Sequence, residues 1–212
     1  MYEKFGQFIE GKWSPSENKE TYEVINPATE EVLGHASKAT PADVDRALKS
    51  AEKGLKVWRK TTPWDRSYIL RKIADRMREK KDVLAKWMTL ENGKPLAEGI
   101  GETNGAADIF EWNAEETKRI FGQTIESRFE DTRVHVYYQP VGVVAALSPW
   151  NFPLILAARK ISTALAAGCS VIIKPDTITP GVVMELVDIC RECGVPPGAV
   201  NLLSGDPPSI AS

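Results

Sequence analysis

Residues 141–203 read VGVVAALSPWNFPLILAARKISTALAAGCSVIIKPDTITPGVVMELVDICRECGVPPGAVNLL, and their period decides the fold. Short runs rich in Val, Ile and Leu, at 141–147, 170–174 and 199–203, have strand length. Between them lie helical stretches at about 153–167 and 180–193, each opened by a proline, a residue suited to the first helical position. Buried strands alternating with helices predict right-handed βαβαβ crossovers and an α/β class with a parallel, doubly wound (Rossmann-like) sheet. In such sheets ligands lie outside the carboxyl ends of the strands. The three exits are then Ser148–Pro153 (SPWNFP), Lys174-Pro175 and Ser204-Gly205-Asp206. No GxGxxG follows any of the strands, so a bound dinucleotide would need another holder for its pyrophosphate.

Upstream, the period is helical from Thr40 to about Phe121. Thr40 suits a cap and Pro41 a first helical position, and Val44, Ala47, Leu48, Ala51, Leu55 and Trp58 make an apolar stripe. Ile69, Ile73 and Met77 mark one further helical face, and Val83, Leu84, Trp87 and Met88 another, stopped by Asn92-Gly93 and Pro95. Residues 5–34 read as short strands and turns. In RVHVYYQ, Val134, Val136 and Tyr138 alternate with His135 and Tyr137, which predicts an extended arm with two different faces.

Lys and Arg number 27 against 29 Asp and Glu, a formal charge of −2 with no basic cluster, which argues against a nucleic-acid or anionic-membrane partner. No apolar run approaches the roughly 18 residues of a membrane span, and the polar start MYEKFGQFIEGKW lacks signal-peptide order, so a cytoplasmic protein is expected. Cys169, Cys190 and Cys193 make no disulfide framework, and the CxxC pair lacks the second pair of ligands that a zinc site needs. No metal is expected.

Asn151 sits between Pro149 and Pro153, which fix the backbone on either side. A rigid carboxamide N–H at a ligand edge suits oxyanion stabilisation, worth roughly 3–4 kcal/mol per donor. The same residue could equally cap or turn the chain. Lys174 could hold ribose hydroxyls or phosphate, or could be a surface lysine whose stem covers apolar neighbours.

FIEGKW, VINPATEEVLG, the ENGKP turn, VYYQPVGVV and the segment 148–206 occur in an order that resembles the aldehyde dehydrogenase superfamily over nearly the whole chain. The resemblance implies NAD(P)-dependent oxidation of an aldehyde to the acid: thiolate attack, hydride transfer to nicotinamide and hydrolysis of the thioester. It makes Asn151 the oxyanion-stabilising residue, and puts Ser148, Pro149, Trp150, Lys174, Asp176 and Thr177 in the cofactor cleft. Arg159, in LILAARK, resembles the arginine of succinate-semialdehyde dehydrogenases, where a guanidinium fork can hold a distal carboxylate. Thr177 stands where NAD-preferring relatives carry glutamate, so NADP is expected to be accepted alongside NAD; Asp176 restores a negative charge nearby.

The resemblance divides the chain into an N-terminal part of the cofactor domain (1–125), an oligomerisation arm (126–140) and a βαβαβ half (141–212), with a further helix entered at PPSIAS. The nucleophilic cysteine, the general-base glutamate and the catalytic domain are expected beyond residue 212. The chain alone is then an inactive part of a homo-oligomeric enzyme. A noncatalytic interaction module built on the arm is the alternative, as is an enzyme for a different aldehyde. An ester hydrolase finds little support, since there is no GxSxG elbow.

Overall fold

The computed structural model describes residues 2–206 and 210. A tight hairpin, β1 (Gln7–Ile9) and β2 (Lys12–Ser14), precedes the antiparallel pair β3 (Thr21–Ile25) and β4 (Val32–Ser37). Four helices follow: α1 (Pro41–Trp58), α2 (Pro63–Glu79), α3 (Lys81–Asn92) and α4 (Leu96–Thr117). Thr40 closes a capping box with Asp43 at the start of α1. Gly93, at φ 80°, ends α3 in the left-handed conformation expected of an Asn-Gly stop.

The stripe along α1 differs in part from the expected one. Leu48 is exposed, whereas Ser50 and Gly54 are buried beside Ala47, Ala51 and Trp58. Ser50 turns inward because its hydroxyl donates to the buried Asn201 carboxamide at 2.7 Å. In α3, Leu84, Trp87 and Met88 are buried but Val83 faces solvent, because the buried face is turned toward Ala85 and Glu91 and leaves position 83 at its margin.

A hairpin of β5 (Gln123–Glu126) and β6 (Arg133–Val136) overlaps the stretch 126–140 where an extended arm is expected. Its two faces are not distinguished by burial: apart from the half-buried Val136, all of its strand residues are exposed. Tyr137 and Tyr138 lie beyond the strand and are also exposed.

The segment that decided the fold forms β7 (Val143–Leu147), α5 (Pro153–Ala166), β8 (Ser170–Lys174), α6 (Pro180–Glu192) and β9 (Val200–Leu202). The three strands pair in parallel, Leu147 opposite Lys174 and Ile173 opposite Leu202. The sheet is mixed, which the sequence reading did not anticipate: its order is β2-β1-β9-β8-β7, with the first hairpin added antiparallel to β9. The residues after 206, where a further helix was expected, lie outside the described residues except for Ile210.

Alternation along β8 sorts its side chains between two layers. Ile172 joins Ala47, Ala51 and Leu203 under α1 on one face. Val171 and Ile173 join the larger core of Leu154, Ile161, Leu165, Val183 and Leu186, from α5 and α6, on the other. Helices α2–α4 extend that core, bringing Trp87 and Phe110 behind the crossover helices.

Candidate active site

The carboxyl ends of β7, β8 and β9 lie side by side. The Ser148 N–H donates to the Lys174 carbonyl at 3.0 Å, and the Leu203 N–H to the Ile173 carbonyl at 3.0 Å. The three polar exits therefore share one edge of the sheet, as the parallel register requires.

The first exit is a loop whose backbone is held and whose key side chain is left open. Ser148 is buried and its hydroxyl donates to the Pro153 carbonyl at 3.3 Å, which closes the loop beside the exposed Pro149. Asn92 Nδ2 donates to the Trp150 carbonyl at 3.1 Å, and Lys94 Nζ to the Asn151 carbonyl at 3.3 Å. The Asn151 carboxamide is exposed and makes no hydrogen bond to a described residue. Trp150 and Phe152 stand beside it, each about half exposed at 51% and 52%, which supplies flat apolar surface at the edge.

The second exit ends in Lys174, which is only 8% exposed and so is not a solvent-reaching surface lysine. Burial draws its pKa below the ordinary lysine value, while Asp176 and Asp206 pull it back up. It makes no ion pair with a described residue. An enclosed ammonium in that state favours a polar or anionic ligand. Pro175 is buried, and Asp176 Oδ1 accepts the Ile178 N–H at 3.1 Å in an Asx turn that leaves Asp176 and Thr177 half-buried beside Lys174.

The third exit is fixed by Gln7 of the first hairpin. Its Oε1 accepts the Ser204 N–H at 2.8 Å, and its Nε2 donates to the Ser204 carbonyl at 3.0 Å. The Ser204 and Tyr22 hydroxyls are 2.7 Å apart, and Asp206 pairs with Lys38 at 2.9 Å.

Arg159 is not brought to this edge by any direct contact. It lies on the exposed side of α5, six residues past Pro153 and thus about 9 Å along the axis. The cysteines are far from reactive: all three are buried, and burial pushes the Cys190 thiol upward. No His/Cys/Asp/Glu group among the described residues could hold a metal, and no described helix is long and apolar enough to cross a membrane.

Sequence reading missed two glutamates behind the edge. Glu102 of α4 accepts the Leu154 and Ile155 N–H groups with Oε1, at 2.9 and 3.1 Å, and pairs through Oε2 with Lys94. Glu91 of α3 accepts the Gly181 N–H at 2.7 Å and the Tyr2 hydroxyl with Oε1, and the Val182 N–H at 3.3 Å with Oε2. Each thus holds the N-terminus of a crossover helix, α5 and α6 respectively. Gly181 is required there, since a Cβ would lie 2.3 Å from the Trp87 ring and 2.6 Å from Glu91 Oε1. The available signal was a carboxylate at helical spacing within an apolar stripe: Leu84, Met88, Glu91 in α3 and Gly99, Glu102, Ala106, Phe110 in α4.

Comparison with known proteins agrees with this architecture. Residues 13–212 match the aldehyde dehydrogenase family. The chain is 44% identical over 198 residues to a glutarate-semialdehyde dehydrogenase of Pseudomonas putida, covering 93% of this chain and 41% of the relative. It is 42% identical over 204 residues to the NADP(+) succinate-semialdehyde dehydrogenase GabD of Escherichia coli, covering 96% and 42%. Among solved structures, an NADP-dependent enzyme of E. coli superposes with a TM-score of 0.95 at 41% identity, and a succinate-semialdehyde dehydrogenase of Burkholderia pseudomallei with 0.95 at 40%; both alignments cover 97% of this chain and 43% of the other. The chain thus spans about two-fifths of the length of these relatives, and by its match across residues 13–212 it belongs to the aldehyde dehydrogenase family.

Proposed function

We propose that this chain supplies the oxyanion-stabilising amide and one wall of the nicotinamide-dinucleotide cleft to an NAD(P)-dependent aldehyde dehydrogenase acting on an aldehyde that carries a distal carboxylate, such as succinate semialdehyde. The observation that carries the reading is the pair of adjacent exits, with the open Asn151 carboxamide on one and, on the next, the enclosed Lys174, which has no ion pair among the described residues. The Asn151 N–H would donate to the carbonyl oxygen as that oxygen gains negative charge, a role for a fixed neutral donor. Lys174, with Asp176, Thr177 and the Trp150 face, fits the ribose and phosphate end of a dinucleotide, and a bound nicotinamide would supply the hydride acceptor. With threonine at 177, a 2′-phosphate meets no glutamate there, so both NADP and NAD are accommodated.

Relatives named for succinate and glutarate semialdehydes support a carboxylated substrate, and Arg159 is the residue assigned to its far end. The thiolate and general-base steps belong to residues outside this chain. The exposed hairpin Gln123–Val136, with Ile125 and Val134 uncovered, is assigned to homo-oligomer formation in a cytoplasmic enzyme; it overlaps the arm 126–140 that divides the parts 1–125 and 141–212. Titration of the chain with NADP and NAD should quench Trp150 fluorescence, and Lys174→Met should weaken the response about tenfold or more. No NAD(P)H should form from succinate semialdehyde. Nucleotide response unaltered by Lys174→Met, or turnover by the chain alone, would overturn the reading.

A further inference from the structure

We propose that Lys94 and Glu102 are positioning residues for Asn151: a buried ion pair that sets the aim of the carboxamide from behind, without touching a ligand. The inference rests on the oxyanion role of Asn151 proposed above, and its physical basis is independent of any bound molecule.

Phe152, the N-cap of α5, offers no side-chain acceptor, and Pro153 has no N–H. The next two N–H groups, of Leu154 and Ile155, would be orphaned at the buried start of the helix. Glu102 Oε1 takes both, at 2.9 and 3.1 Å. A carboxylate there also gains from the helix dipole. Its other oxygen meets Lys94, and the side chains of the pair are 8% and 1% exposed. Lys94 then reaches forward to the Asn151 carbonyl at 3.3 Å, and its ammonium lies 4.6 Å from the centroid of the Phe152 ring.

The contacts form a chain from α4 to the loop: Glu102 fixes residues 154 and 155, Lys94 fixes 151 and 152, and Asn92 fixes 150 at 3.1 Å. Both ends of the Asn151 residue are thereby anchored while its side chain stays open. This arrangement suits oxyanion stabilisation, where a donor displaced by a fraction of an ångström loses much of its effect. Lys94 can reach because Gly93 and Pro95 bring the α3–α4 junction under the loop.

The role separates from mere stability by a charge-free replacement. Substituting a buried ion pair with apolar side chains is often neutral or stabilising overall, but Lys94→Met with Glu102→Leu removes every directed contact that the pair makes to the loop and to the start of α5. In the isotopically labelled chain, without nucleotide or aldehyde, Lys94→Met and the double variant should each lower the order of the Asn151 backbone and carboxamide groups, and the double variant, which also removes Glu102, should speed amide exchange at Leu154 and Ile155 about tenfold or more. The amides of Leu70 and Ile73, in α2, should stay within about twofold of the parent. If Lys94→Met does not fold, the double variant alone decides. Retention of parental order at Asn151 in either folded variant overturns the proposal. So does a uniform rise in exchange through the whole core, which marks the pair as only structural. Because no ligand enters the measurement, failure of the cofactor assignment leaves this result standing, and failure here leaves nucleotide binding at Lys174 untouched.

Discussion

Helices α1 and α2 are capped by their own threonines, whereas α5 and α6 are capped from another layer of the molecule. Thr40 Oγ1 accepts the Asp43 N–H at 3.3 Å and the Asp43 carboxylate accepts the Thr40 N–H at 3.0 Å; Thr62 Oγ1 accepts the Asp65 N–H at 3.1 Å. At α5 the N-cap is Phe152, which has nothing to offer, and at α6 the Thr179 hydroxyl is buried with no partner among the described residues. The difference follows from position. The crossover helices start where strands leave the sheet, and their first residues are committed to the ligand edge. The orphan N–H groups are therefore met from behind, by Glu102 and Glu91. A distant cap couples helix starts to the packing of α3 and α4, so the edge keeps its shape only while that layer is seated.

The two distant caps also differ from each other. Glu102 is balanced by Lys94. Among the described residues Glu91 meets only the Tyr2 hydroxyl and two N–H groups and no cation, and burial pushes its pKa from 4.5 up to about 8, against the pull of those donors. The Tyr2 hydroxyl is raised in turn, by its own burial first and then by Glu91.

The largest expected effect comes from breaking the balanced cap. Glu102→Ala leaves Lys94 unpaired and two N–H groups orphaned, and should lower the unfolding free energy by about 3 kcal/mol or more, measured by urea denaturation. Next is the unbalanced cap, whose signature is its pH dependence. The folded chain keeps on Glu91 a proton that the unfolded chain releases near 4.5, so this contribution to stability is full below that pH, declines as pH rises toward about 8, and levels off above. Urea midpoints across that window should fall for the parent, and Glu91→Gln should flatten the slope; an unchanged slope would show that the donors, not burial, govern Glu91. The smallest effect belongs to the local cap: Thr40→Ala should cost about 1 kcal/mol. Its coupling with Glu102→Ala, from a double-mutant cycle, should be within about 0.5 kcal/mol of zero.

The same contrast separates what could be read in advance. Thr40-Pro41, Asn92-Gly93 and the 141–203 alternation are local signals, and the structure repeats them to within two residues at most boundaries. Leu48 and Val83 were misplaced because period alone sets the spacing of a stripe but not its angular position, which the neighbours decide. The antiparallel addition of the first hairpin to β9 depends on Gln7 meeting Ser204, nearly the full length of the chain away.

The sequence by itself determined the parallel strands, the order of the exits and the polar residues on them, since these follow from side-chain period and from proline-limited backbone angles. Only the tertiary structure decided that Lys174 is enclosed, that Asn151 is open, and that Lys94, Glu102 and Glu91 stand behind the edge. Those outcomes rest on hydrogen bonds and burial between segments far apart in the chain, where no local pattern fixes which groups will meet.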